Sequence, residues 1–273
     1  SAPGLPNAIS RSLSIFSLDS GLIFERETRA QGQPVIQTLE PRIFYVRIPF
    51  KDQNQIPLFD TANADFNYAQ IFSENSFSGG DRINDADQLT LALTSRMLRA
   101  DTGQEMLRGT FGQRYYYKDQ QVTLNPTDTP RTYHSSDWLA ALSGRVAEHW
   151  ASEAAIQYNQ RDNQFERLTV STRYQPEPFK TLNLSYRFLR DQIKQVDLSG
   201  QWPLLGRWYG VGRFNYSLPD RSTVESVAGF EYAADCWIGR IVGQRFALTA
   251  GESTRSFFLQ IELNGFSRLG SNP

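Results

Sequence analysis

Residues 134–137 read His-Ser-Ser-Asp, the three residue types of a hydrolase triad gathered into four positions. Nucleophilic catalysis needs the hydroxyl, imidazole and carboxylate to converge on one point. Consecutive loop residues point in different directions, and the other histidine, His149, is expected at the opposite end of its strand. No catalytic residue is therefore assigned and the chain is not read as an enzyme. Asp81, Asn84, Asp85 and Asp87 carry the oxygens that calcium requires, without the twelve-residue spacing and central glycine of a calcium loop. They read as solvated or hydrogen-bonded side chains of a folded loop turning at Gly79-Gly80; no metal site and no cofactor is expected. Cys236 is the single cysteine, so it has no disulfide partner within the chain. An odd cysteine in an exported protein points to pairing beyond the chain, the alternative being a small apolar filler at a strand start.

These residues must be positioned by strands. The chain has 273 residues and a net charge of −1, which leaves no basic excess for a nucleic-acid partner. Hydrophobic residues make up 40% and aromatic residues 13%, and mean hydropathy is −0.48. Apolar runs such as Trp138 to Leu142 are far shorter than the ~20 residues of a membrane helix. Strands of a membrane barrel need only ~10 residues and alternate in polarity. The start, SAPGLPNAIS, lacks the charged and apolar regions of a signal peptide, so a mature protein or a fragment is expected.

Period-two alternation divides the sequence into about thirteen strands. They run near 13–27, 35–49, 88–98, 105–117, 137–150, 151–161 and 165–175, then near 180–190, 194–203, 208–217, 223–233, 236–246 and 256–266. In the eighth, Leu182, Leu184, Tyr186 and Phe188 alternate with Asn183, Ser185 and Arg187. In the last, Phe257, Leu259, Ile261 and Leu263 alternate with Gln260, Glu262 and Asn264. Connections alternate in length: those near 50–87 and 118–136 are long, whereas 101–104, 148–152, 175–179 and 204–207 are short. Outer-membrane barrels have short periplasmic turns and long external loops. With that orientation Trp150, Trp202, Trp208 and Trp237 share one rim, as an interfacial aromatic girdle does.

The fold class expected is all-β: an antiparallel transmembrane outer-membrane β-barrel, present in part. Closed bacterial single-chain barrels have an even strand number. An odd count with two long unpaired edges, unsatisfiable in lipid, points to earlier strands that are missing. The long loop near 50–87 carries Phe59, Phe66, Tyr68, Ile71 and Phe72, too apolar for a loose tether, and is expected to fold inward against the barrel wall or a plug.

Several segments resemble one family, the outer-membrane lipopolysaccharide-assembly family LptD. They are DSGLIFER (19–26), QTLEPRIFYVRIPFKDQNQIPLFDT (37–61), FSENSFSGGDRINDADQLTLALTSRML (72–98), FEYAADCWIGRIVGQRF (230–246) and FFLQIELNGFSRLGSNP (257–273). The resemblance implies the C-terminal half of a barrel of about 26 strands, with an N-terminal periplasmic jellyroll domain and the first barrel strands outside residues 1–273. It implies an LptE-like lipoprotein plug inside the barrel, a periplasmic Lpt bridge that supplies lipopolysaccharide, and outer-membrane lipid around the wall. Lipopolysaccharide would leave sideways through a seam between first and last strands, the last being lined by Phe257, Leu259, Ile261 and Leu263. The family often carries two adjacent cysteines at the turn before the penultimate strand, tying barrel to periplasmic domain. Here that pair is Asp235-Cys236, so one bridge is implied, from Cys236 to a cysteine outside the chain.

Glu40, Arg42, Arg96, Arg114, Arg187, Arg213, Glu231 and Arg240 fall on the expected lumen-side rows. One reading gives them contacts to the plug or to the sugar–phosphate part of lipopolysaccharide, since arginine forks suit phosphate. The other is that a wide polar barrel needs paired charges inside it. The function expected is lipopolysaccharide transport and insertion into the outer leaflet of the Gram-negative outer membrane. A passive outer-membrane porin and a soluble β-rich adhesin or carbohydrate-binding domain are the alternatives.

Overall fold

In a computed structural model, which describes residues 9–30, 32–249, 252–263 and 267–270, the chain is built of antiparallel strands with no α-helix among those residues. The strands are β1 (Phe16–Gly21), β2 (Phe24–Ala30), β3 (Gln33–Ile48), β4 (Ala86–Arg99), β5 (Glu105–Tyr116), β6 (Trp138–Ala147) and β7 (Trp150–Asn159). They continue with β8 (Gln164–Glu177), β9 (Lys180–Leu189), β10 (Ile193–Leu205), β11 (Trp208–Ser217), β12 (Ser222–Ala233), β13 (Trp237–Thr249), β14 (Glu252–Leu263) and β15 (Ser267–Gly270). The chain forms two compact units, residues 1–142 with 156–164 and residues 143–155 with 165–273, so β6 and β7 each give one end to either unit.

In the first unit β1 and β2 both pair with β3, which pairs with β4, which pairs with β5. The single strand expected near 13–27 is thus two strands. Gly21 lies opposite Arg42 and Phe24 opposite Leu39, so the register is unbroken across the gap. Leu22 and Ile23 fall opposite Pro41 and Glu40, and Pro41 has no N–H to give to the ladder. One bond survives there, from Leu22 N to Pro41 O at 3.1 Å. In the second unit β8 to β14 pair in chain order through short hairpins, and β15 adds to β14. Tight turns such as Gly206-Arg207, with Gly206 at φ 57°, close these hairpins. The last long strand is 252–263 rather than 256–266, and β15 follows it; positions 264–266 of the expected strand lie outside the described residues.

The first unit's burial is inverted relative to a water-soluble sheet, which hides its apolar face. Its apolar row is open: Leu39, Ile43, Leu91, Leu93 and Phe111 are all exposed. Its polar row is the covered one, with Thr90 at 0% and Arg114 at 4% exposure and Thr38 and Gln88 buried beside them. The covering comes from the long segment between β3 and β4, whose Phe72 and Ile83 pack on Phe44, Val46, Ile48 and Ala86.

Candidate functional site

The polar row of the first unit is held against that segment by a few side chains. Arg114 of β5 donates from Nε to Thr90 Oγ1 at 3.2 Å and from its Nη2 to the carbonyl of Ile71 at 2.5 Å, with longer contacts to Gln70 and Ser73. It has no acidic partner among the described residues; a buried guanidinium surrounded by carbonyls orders the backbone that supplies them. Ile71 is fully buried, and the Tyr68 hydroxyl meets Thr94 Oγ1 at 3.1 Å. Gly112 leaves the space that Tyr68 and Ile71 fill, a Cβ there lying 3.3 Å from the tyrosine ring. Arg42 lies 3.9 Å from the centre of the Phe72 ring and binds Asp19 of β1 through Nε at 2.9 Å. Glu40 takes Arg96 at 3.1 Å and the Thr38 hydroxyl at 2.8 Å.

The acidic residues of the segment cap its turns. Asp81 accepts the N–H groups of Phe59 and Asp60 at 2.6 and 3.0 Å, which hold its carboxyl below the usual carboxylate range. Asp85 accepts those of Gln121 and Val122, tying this segment to the one between β5 and β6. Asn84 accepts Ser76 N–H, and Asp87 accepts the Tyr45 hydroxyl. The hydroxyls and carboxylate of the 134–137 cluster are likewise engaged. Ser136 Oγ donates to the carbonyl of Asp137, Ser135 accepts Gln160, and Asp137 accepts Gln157 and Arg161.

In the second unit the polar row forms two ion-pair chains across neighbouring strands. Glu231 on β12, 1% exposed, receives Arg240 Nε of β13 at 2.8 Å and Gln201 Nε2 at 2.6 Å. Arg213 on β11 bridges Asp197 of β10 at 2.8 Å and Glu225 of β12 at 3.1 Å, and Gln244 completes Glu225 at 2.7 Å. Arg187 on β9 is exposed and has no hydrogen-bond or ion-pair partner among the described residues. Of the eight row residues expected from sequence, the structure thus joins Glu40 to Arg96 and Glu231 to Arg240. Arg42, Arg114 and Arg213 meet partners not singled out beforehand: Asp19, the loop carbonyls, and Asp197 with Glu225. Asp197 was legible as a member of the period-two row of Gln195, Ser199 and Gln201. Asp19 depends on the register of β1 against β3, which alternation alone does not supply.

The opposite face of the second unit is an ordered belt. Cross-strand register places Tyr174, Leu182, Trp202, Trp208, Tyr232, Trp237 and Leu263 toward one end. Ring contacts link Trp150 to Tyr174 at 4.7 Å and Tyr174 to Trp202 at 6.5 Å, and Trp208 to Tyr232 at 5.1 Å and Tyr232 to Trp237 at 5.5 Å. The Trp237 indole lies over Gly239, where a Cβ would sit 2.7 Å from the ring. The next three positions of this row on each strand carry no charge: Leu184, Tyr186 and Phe188, for example, or Gly239, Ile241 and Gly243. The fourth step is polar or tyrosine on every strand: Glu166, Arg190, Lys194, Tyr216, Arg245 and Arg255, each eight residues from the aromatic end, and Thr223 on β12, nine residues from Tyr232 across the bulge at Val224 and opposite Tyr216. Eight residues at ~3.4 Å, tilted ~40°, give a height of about 21 Å, close to the ~25 Å apolar band of an outer-membrane barrel. A contiguous exposed apolar surface of that height has no stable place in water.

On β14 the outward side chains are Phe257, Leu259, Ile261 and Leu263, with Phe257 84% and Leu259 58% exposed. This strand pairs with β13 over its length but with β15 only through Gln260–Leu263, so its edge from 252 to 259 has no strand neighbour among the described residues. Cys236 is exposed in the turn between β12 and β13, next to the aromatic end and to the Asp235–Arg207 ion pair at 2.9 Å.

Comparison with known proteins agrees with this geometry. The family described as LptD, LPS transport system D, matches residues 2–208. The protein named LPS-assembly protein LptD in Aromatoleum aromaticum is 50% identical over 99% of this chain, which covers 34% of that protein. Those of the same name in Thiobacillus denitrificans and an Azoarcus species are 49% and 46% identical, each over 97% of this chain and covering 36% and 33% of the relative. The chain spans about a third of the length of these relatives. An all-β chain with an apolar outer belt, a charge-paired polar row and half its sequence in common with LPS-assembly proteins belongs to the LptD family.

Proposed function

We propose that residues 1–273 form the C-terminal part of the barrel wall of an outer-membrane machine that delivers lipopolysaccharide to the outer leaflet. The observation that carries this reading is the inverted burial: an uncharged outward belt about 21 Å high backed by a row of buried and paired charges. In this arrangement the belt faces lipid and the polar row faces a lumen wide enough for sugars, so acyl chains need never cross the polar row. The aromatic end is the periplasmic rim, and the level of Arg245 and Arg255 is the external one.

Membership of the LptD family supports a reading of the partners. Lipopolysaccharide arrives from a periplasmic Lpt bridge through an N-terminal domain, and an LptE-like lipoprotein plugs the lumen. Arg187, exposed and without a partner among the described residues, is the row residue best suited to touch the plug or the lipopolysaccharide phosphates. Glu40, Arg96, Arg213, Glu231 and Arg240 instead pair with one another and with neighbouring charges of the wall, and Arg42 and Arg114 hold the segment between β3 and β4. The edge of β14 from 252 to 259, with Phe257 and Leu259 outward, forms one side of a lateral exit. Cys236, exposed at the periplasmic rim, takes an interdomain disulfide in that oxidising compartment.

Photoreactive residues placed at Arg187 and Leu259 of the full-length protein in growing cells test this reading. Crosslinks to lipopolysaccharide from both positions are expected. Their absence, with crosslinks from neither wall face, would leave a passive channel as the better account.

A further inference from the structure

Arg245 of β13 and Arg255 of β14 lie directly opposite one another in the ladder. Both belong to the outward row, two steps beyond Ile241 and Leu259, and both side chains are exposed. Like charges placed opposite across a strand pair repel. Yet neither guanidinium has a hydrogen-bond or ion-pair partner among the described residues. By contrast Arg190, at the same level, has Glu166 at 3.5 Å, and in the polar row Arg213 and Arg240 are paired with Asp197 and Glu231. Ser226 of β12 lies opposite Arg245 and extends the row by a hydroxyl. The three side chains therefore share one outward row over three adjacent strands, immediately above an uncharged belt.

We infer that Arg245 and Arg255, flanked by Ser226, form a binding site for the phosphate of an outer-leaflet glycolipid headgroup. The inference rests on the membrane orientation proposed above. An anion between two guanidinium forks removes their repulsion and accepts several charge-assisted hydrogen bonds, which a planar fork offers to phosphate in bidentate fashion. Depth selects the ligand. The row stands eight residues from Trp237 and Leu263, about 21 Å above the aromatic rim, where acyl chains give way to headgroups. A lipid bound there has its chains against Ile241, Phe257 and Leu259, and its phosphate in reach of both arginines. The site sits on the outer face of the wall, apart from the polar row.

The test uses full-length protein with its lipoprotein partner in lipid nanodiscs, carrying Arg245→Gln and Arg255→Gln together. Probes are lipopolysaccharide with phosphorylated lipid A, the same material after dephosphorylation, and phosphatidylglycerol, each read by native mass spectrometry and titration. The wild type is expected to retain phosphorylated lipopolysaccharide about tenfold or more better than the double variant, with the dephosphorylated probe insensitive to the change. A double Lys variant restores part of the binding. Equal retention by wild type and double variant overturns the proposal, as does phosphatidylglycerol competing as well as phosphorylated lipopolysaccharide. Nitroxide accessibility at Leu259 of the wild type separates the two levels. Oxygen-accessible label with unchanged lipid retention sinks the site alone, and water-exposed label sinks the membrane orientation beneath it.

Discussion

Replacing Arg114 with methionine probes how the segment between β3 and β4 is held to the wall. The guanidinium makes two good contacts, to Ile71 O and to Thr90 Oγ1, and two weaker ones at 3.3 and 3.4 Å. Hydrogen bonds from a charged donor contribute about 1.5–3 kcal/mol each. The loss is reduced in two ways. Thr90 Oγ1 itself donates to Ile71 O at 3.0 Å, so that carbonyl keeps one partner. Methionine also relieves the cost of keeping a charge at 4% exposure. A net weakening of about 2–3 kcal/mol remains, equivalent to roughly 30- to 150-fold in the local opening equilibrium at about 1.4 kcal/mol per decade. Hydrogen exchange in the full-length protein reads this directly. The amides of Ile71 and Ser73, bonded to Asn67 O and Gln70 O, should lose protection by that factor while amides of β4 and β5 do not. A change under about threefold at Ile71 and Ser73 would refute the role given to Arg114. Equal loss along β4 and β5 would show that the residue supports the wall itself.

Four further outcomes are expected. Arg240→Met leaves Glu231 buried with Gln201 as its remaining partner among the described residues, and should lower stability by about 1–3 kcal/mol, since Arg240 is itself partly exposed; Glu231→Gln in the same background should recover much of it by denaturant unfolding. Leu259→Arg in the middle of the belt should cost about 2–4 kcal/mol of folded, heat-modifiable protein on gels, and Gln260→Arg on the other face much less. Asp81 is held below its ordinary pKa of 3.8, so its contribution to the loop is complete above that value and is lost as pH falls through the depressed one. Pepsin should therefore cut between 55 and 80 only below about pH 4, and Asp81→Asn should abolish that pH dependence. Cys236, exposed in its turn, should react with a maleimide only after reduction of the full-length protein; labelling without reductant would exclude the interdomain bridge.

How far the sequence foretold the molecule depends on what each element uses. Strands such as β9 and β14 show in the sequence because one face meets an apolar medium and the other a polar one, and period two records that contrast directly. The interruption at Leu22–Ile23 was not legible, because its cause lies on the neighbouring strand at Pro41, nineteen residues after Leu22. The polar row was readable as a row but not as pairs. Arg213 with Asp197 and Glu225, or Arg42 with Asp19, follows from register and not from alternation. The role of Arg114 was hidden for another reason: its partners are backbone carbonyls, which carry no residue-type signature. The uncharged belt and the polar level above it were likewise out of reach until cross-strand register aligned one strand's eighth position with the next.

The orientation of the two faces is the claim on which the rest depends. A nitroxide scan through Leu182–Phe188 and Phe257–Leu263 of the full-length protein in bilayers measures it, as the ratio of oxygen to water-soluble nickel accessibility. The orientation described requires a period-two profile, with oxygen maxima at Leu182, Leu184, Tyr186 and Phe188 and at Phe257, Leu259, Ile261 and Leu263. Maxima on the alternate residues, or a profile with no period, would contradict it.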